Sequence, residues 1–442
     1  MKRFWIMFLS LAAWTANMDV LAQDNQQGNR PRREMGERGD RPEGNRRPGG
    51  ERGPGGERRR PGGGSGNAVR LGGVSQTGHG QKEGVETATG ITLSGSGDEE
   101  NVVQVTGGTY TMTDCKVEKT GGNTQGGDGS SFYGTNSALC TNTGGTINMT
   151  GGTITTNAKG ANAAVAYGGT INIKNVTIRT SQDMSRGIHA TGGGTINAEN
   201  LDIRTQGTSC SVIATDRGGG TVNVNGGKYW TSGVHSAVAY STGDIILNKV
   251  WGESTQGEIG VIEGNNSITL NDCDITSGSK KRAMMILQSG SGDAQGYNGK
   301  ITINRGTMTV KESTTPLCEV PTRMTGTLTL NDVKIVNPSN VLMYVDYNTQ
   351  WRTQGGIGNL VLTTEKKWEY KGDVKADETG VVNVTVDKGV IWRGAINTDN
   401  KAKGATIEVN GTWELTADCY VDSIKMGKDG KVVKNGFEIK KR

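Results

Sequence analysis

Aromatic side chains are scarce: they make up 5% of 442 residues, with only four Phe, and the hydrophobic fraction stops at 32%. A helical protein built on one thick core is excluded, because such cores consume Leu, Phe and Ala in quantity. Only three His are present, His79, His189 and His235. A His-centred metal site or a Ser/His/Asp triad needs such residues to converge. His189 and His235 fall at different offsets in the repeat described below, so each reads as a surface residue. No C-x-x-C pair occurs, which removes the usual zinc signature. The net charge of +5 is not spread along the chain: residues 30 to 60 hold eleven Arg and six acids, so the remainder sums to zero. A neutral body argues against nucleic acid as a partner.

The abundant residue is Gly, with 71 copies and no three-residue period, so collagen is excluded as well. Residues 1–22 read as a secretory signal, with Lys2 and Arg3, an apolar run from Phe4 to Ala16, and Val20-Leu21-Ala22 before a cleavage point. That run is shorter than the ~20 residues a membrane-spanning helix requires, and no later stretch is long enough. Residues 23–70 carry five of the eight prolines and many Arg and Gly, with almost no apolar side chains. Such a segment cannot repay its ordering entropy and is expected to be disordered. It serves as a spacer or as an electrostatic arm, and its exposed Arg make a trypsin-like protease a candidate partner. Arg38-Gly39-Asp40 is a triplet that chance readily produces in this composition.

From Gly108 onward one phrase returns. Gly145-Thr146-Ile147-Asn148 recurs at Gly169 and Gly194 and, with Val222 for Ile, at Gly220, at spacings of 24, 25 and 26 residues, with weaker copies at Gly243, Asn266, Gly299 and Gly326. Each copy alternates polar and apolar residues, the period of a half-buried strand. A corner of Asn, Gly or charged residues follows, at Asn175, Asn200, Gly226, Lys249, Asp272, Arg305 and Asp332, where left-handed backbone is expected. A second strand then buries Ile154, Ile178, Ile203, Tyr229, Ile275, Met308 or Ile335. A third apolar patch is marked by Val165, Ile188, Ile213, Val238, Ile262, Ile286, Val320 and Tyr344. Three short strands in about 24 residues leave no room for a crossover helix, so the expected fold is an all-β parallel β-helix. On these residues the chain resembles the right-handed parallel β-helix of the pectin-lyase-like superfamily, and within it secreted Gly/Thr/Asn-rich bacterial surface proteins described as adhesin-like. The expected domains are the solenoid at 71–345, with Gly90 to Val105 as its opening coil, and C-terminal coils with a cap at 346–442. In the latter, Trp368, Trp392 and Trp413 read as an aromatic stack, and residues 432 to 440, with alternating Lys, as the cover of the end.

The six Cys are expected to be single and buried in core columns. Cys115 and Cys273 share a column but stand about six coils apart, roughly 29 Å at ~4.8 Å per strand, beyond the ~7 Å between Cα atoms that a disulfide spans. Gly126 to Phe132 approaches a calcium-binding nonapeptide, yet Ser131 stands where Asp is needed. Gly78-His79-Gly80 and Asn397-Thr398-Asp399 match fragments seen in polygalacturonase-like members, but in reversed order, and no Asp-Asp pair or Arg-x-Lys accompanies them. No cofactor is implied.

The outer face of the second strand carries the strongest constellation. Stacking places Arg179, Arg204, Trp230 and Glu253 in one column, and Thr177, Asp202, Lys228, Trp251 and Asp274 in the next. Guanidinium grips carboxylates while exposed indole stacks on sugar rings or fills a protein pocket. Arg179, Asp202, Arg204, Lys228, Trp230, Trp251 and Glu253 are therefore the candidate ligand-binding residues. The first strand's outer face is a ladder of Thr and Asn, interrupted at Asp244, Ile246 and Lys300, which suits stacking more than ice binding. The resulting expectation is a secreted or bacterial cell-surface, non-enzymatic, adhesin-like module. Its partner would be a host protein, with a trypsin-like protease among the candidates, or a polysaccharide. The alternative is a polysaccharide lyase or glycoside hydrolase of the same superfamily.

Overall fold

The computed structural model describes residues 84–442 except 125–129, 131–132, 290–292 and 348–354. The signal and tail readings, His79 and most of the Gly126 motif lie outside the described residues.

The described chain is a parallel β-solenoid of about 12 turns. Parallel strands need a crossover of a dozen residues or more, and here the rest of each coil provides it. Each coil has a first strand, a corner, a second strand and, after a turn, a third strand. The four regular copies of the phrase stack in register, so that Thr146, Thr170, Thr195 and Thr221 align, as do Asn148, Asn172, Asn197 and Asn223. One inward row runs from Tyr110 through Ile147, Ile171, Ile196, Val222, Ile245 and Ile268 to Ile301, all buried. It continues through Leu328, Leu360, Val384 and Ile407 to Ile424. Removing these side chains from water at ~25 cal/mol per Å² is the main driving force for stacking.

The corner is as the residue types require. Asn175, Asn200, Gly226, Lys249, Asp272, Arg305 and Asp332 all have positive φ, between 51° and 68°. Lys249 and Arg305 accept a conformation that suits Gly and Asn better, because the inward strands on either side fix the bend. After the second strand a buried hydroxyl row closes the next turn: Thr180 Oγ1 donates to Ser185 O at 2.7 Å, and Thr205 Oγ1 to Cys210 O at 2.6 Å. Upstream this row holds Lys119, buried, whose Nζ donates to Gly97 O at 2.6 Å and Glu100 O at 2.7 Å. Burial lowers its pKa to about 8, against the pull of Glu100 and its acidic neighbours.

Three expectations need correction. Trp368 is not in the aromatic stack, because it pairs with Val390; the row is Tyr370, Trp392, Trp413, with the two indoles stacked at 5.6 Å and 11°. The third patch mixes two faces: Ile188 and Ile213 point inward, but Val165 aligns with His189 and Tyr344 with Glu319 on the outer side. Residues 432 to 440 do not lie over the end of the solenoid. They belong to its last coil, where 431–433 pairs with 412–414 and 439–441 with 419–421, and Ile424 and Met426 are left 36% and 47% exposed. All six Cys are free and buried.

Candidate functional site

The second strands bring the candidate residues together. Asp202 lies beside Lys228 and then Trp251, while Arg179, Arg204, Trp230 and Glu253 follow one another two positions further along. These side chains point outward because the residues between them, Ile178, Ile203, Tyr229 and Gly252, fill the inward row. Asp202, Ile203, Arg204, Lys228, Trp230, Trp251 and Glu253 line one shallow depression of about 220 Å³.

Its acids are neutralised from within the chain. Asp202 is held by Arg179 at 2.9 Å, and Arg179 also donates to the carbonyls of Ile178 and Asp202. Arg179 does not line the depression; it pins one wall. Glu253 is gripped by Lys311 at 2.5 Å, a residue two coils further on. Arg204 makes only a 3.8 Å approach to Asp202 and is exposed, as is Lys228. Trp251 is 44% exposed. The depression therefore offers two available cations beside two indoles, a combination suited to an anionic group on an apolar or ring-shaped body.

A second polar cluster escaped the sequence reading. It lies on the outer side of the third strands. His189, expected at the surface, is fully buried there. Its Nε2 stands 3.7 Å from Asp216 Oδ2, which Arg186 approaches at 3.3 Å. Tyr240 Oη donates to Glu263 Oε1 at 2.7 Å, and Arg217 grips Asp293 at 2.6 Å from 76 residues away. Burial pushes the Asp216 carboxyl up to about 7 even though Arg186 opposes it, and burial also raises Glu263. Burial holds His189 well below its ordinary value, and Arg186 adds to the effect. Nearby, Arg282 lies between Glu258 at 3.5 Å and Glu319 at 3.1 Å. Asp346 rises to about 7 through burial, with Glu319 adding to it. The available signal was an acid at or just past the end of a third strand, Glu263 and Asp216, but the partner Asp293 arrives from an insertion that no repeat predicts.

Among the described residues, no group of three or more His, Cys, Asp and Glu side chains is placed to hold a metal ion. No helix there is long and apolar enough to cross a membrane.

No protein-family model matches this chain, and no curated protein matches it. Among solved structures it is similar to a hyper-glycosylated fragment of TibA, modified by TibC, at 10% identity and a TM-score of 0.21, over 81% of this chain and all of that one. The parallel strand registers define the fold.

Proposed function

We propose that the protein is an exported, non-enzymatic, adhesin-like module that binds its partner at the second-strand face. The observation that supports this reading is the depression itself, where Arg204, Lys228, Trp230 and Trp251 border one hollow and both acids are already paired. Such a surface has the composition of a binding hot spot, aromatic and cationic on a rigid support. The partner is a host protein, a trypsin-like protease included, or a glycan at the bacterial surface. It must present an anionic group next to a body that stacks on indole. Catalysis needs an acid and a base free to reach a reacting bond. In the depression the two lining carboxylates are engaged by Arg179 and Lys311 instead, and the next acid of the column, Asp274 beside Trp251, lies outside its lining.

The test is a capture and turnover screen of the secreted protein against acidic polysaccharides and secreted host proteins. Saturable capture without product, lost in a variant carrying Arg204→Ala, Lys228→Ala and Trp251→Ala, supports the reading. Release of reducing ends or unsaturated products overturns it in favour of a polysaccharide lyase or hydrolase.

A further inference from the structure

The first-strand face carries a different surface, and it does not depend on the reading above. Asn172 Nδ2 donates to Asn148 Oδ1 at 2.8 Å, Asn197 to Asn172 at 2.9 Å and Asn223 to Asn197 at 3.0 Å. Where Ile246 ends this column, a second one takes over two residues along. There Asn271 donates to Asn248, Asn304 to Asn271 and Asn331 to Asn304, at 2.8, 2.8 and 3.3 Å. Amides thus follow one another over eight successive coils, roughly 34 Å at ~4.8 Å per strand.

Each amide has two N–H donors and a carbonyl with two lone pairs. Within a ladder, one donor and one lone pair are spent on the neighbouring coils. The remaining donor and acceptor of each side chain are held at a fixed orientation by the ladder. Where the two columns meet, these groups line a shallow trough of about 470 Å³ that includes Asn172, Asn197, Asn223 and Asn248. The only charges on it, Lys174 and Glu199, pair with each other at 2.8 Å.

We infer that this trough binds a neutral polysaccharide lying along the solenoid axis. Hydroxyl groups both donate and accept, matching the amide pair at every coil. Carboxylates and phosphates accept only and would leave the carbonyl lone pairs unanswered. An extended peptide rises ~3.3 Å per residue and does not match a ~4.8 Å repeat residue by residue. Because the amides are already ordered, little conformational entropy is lost on contact.

The test is titration calorimetry of the full chain with cellohexaose, maltohexaose, hexagalacturonate and an uncharged Ser/Thr hexapeptide. The diagnostic variant is N172T/N197T. Thr already occupies the same column at Thr269 and Thr302, so the coil tolerates it. The inference expects saturable binding of a neutral hexasaccharide, weakened at least tenfold in N172T/N197T and unchanged in W251A. Circular dichroism of N172T/N197T should match the parent. Absence of neutral-sugar binding, equal binding by N172T/N197T, loss in W251A, or preference for hexagalacturonate or the peptide would each overturn it. Thermal hysteresis of ice growth without sugar binding would overturn it too, showing that the face orders water only. Failure here leaves the second-strand site standing, because W251A reads that site separately.

Discussion

Replacing Trp413 by Ala removes one of the two largest buried side chains of the last coils. The indole is fully buried, stacked on Trp392, and donates through Nε1 to Gly394 O at 2.9 Å. A buried Trp→Ala change costs ~3–5 kcal/mol for transfer and cavity, and the abandoned Gly394 carbonyl adds about 1–3 kcal/mol if water does not reach it. In a globular domain that sum would approach the whole stability of ~5–15 kcal/mol. In a solenoid each coil contacts only its neighbours, so the loss stays local. Trp413 pairs with Trp392 on one side and Val432 on the other. Hydrogen exchange read by mass spectrometry should therefore show residues 390–441 exchanging at least a hundredfold faster. Residues 146–331 should be unchanged, and far-UV circular dichroism at 25 °C nearly so. Trp413→Phe, which keeps most of the burial, leaves a smaller cavity and loses the N–H bond, should give the smaller effect. Uniform acceleration along the whole chain would refute the nearest-neighbour reasoning, and no acceleration anywhere would refute the packing assignment.

Burial pushes the Asp216 carboxyl up to about 7 in the fold, from an ordinary value near 4. The folded state then holds its proton more tightly, so this group's contribution to stability falls as pH rises from about 4 to about 7. His189 acts in the opposite sense, since its lowered value costs stability as pH falls through ~6.5. The cluster also includes Arg186, Arg217, Tyr240, Glu263 and Asp293. D216N removes one contribution, so its melting temperature relative to the parent should climb between pH 5 and pH 8, and a flat difference would refute the burial argument. Gly306 has φ +83°, and an added Cβ would stand 2.0 Å from the Cys273 carbonyl oxygen. Gly306→Ala should lower the melting temperature, whereas Gly193→Ala, with a similar φ but nothing within 4 Å, should cost much less. Lys119→Met should leave the two carbonyls of residues 97 and 100 without their donor, and accelerated exchange confined to residues 95–123 is the expected result.

The first and second strands were legible because a period of two, stacked every 24 to 26 residues, fixes which side chain meets which. Given Ile171 above Ile147, the alignment of Arg204 with Arg179 and Trp230 follows by counting. The corner was legible for a steric reason, since Asn and Gly recur where φ must be positive. Even Lys249 and Arg305 could be placed there, by register alone. The third strand was legible as an element and not as a register. Its segments run Ala164-Val165-Ala166 or Met284-Met285-Ile286, apolar on both faces, and an unbroken apolar run carries no parity. Trp368 misled for a related reason: its spacing from Trp392 equals a coil length, but the strand begins two residues earlier there and Tyr370 takes the row.

That loss of parity is also why the buried cluster was missed. On the first two faces an outward residue meets water, so its chemistry can be read from its type. On the third face the outward row is itself covered: Val165, His189, Ala214 and Val261 are all buried. A His in that row is indistinguishable in sequence from one at a loop tip such as His235, which is exposed. What turns His189 into a neutral buried base beside a protonatable acid is the environment that Arg186 and Asp216 share with it. Asp293 joins that environment from an insertion and reaches back to Arg217 across several coils. Local periodicity constrains pairs about 25 residues apart. It is silent about a contact at 76, which is set by where an insertion lands after the coils have stacked. The same distinction separates the two surfaces proposed for binding, whose residues all lie in registered columns, from the acid cluster, whose assembly depends on the covering of the third face. Substitutions in the columns should therefore act locally on binding, while those at Arg217 or Asp293 should act first on how that covering is held.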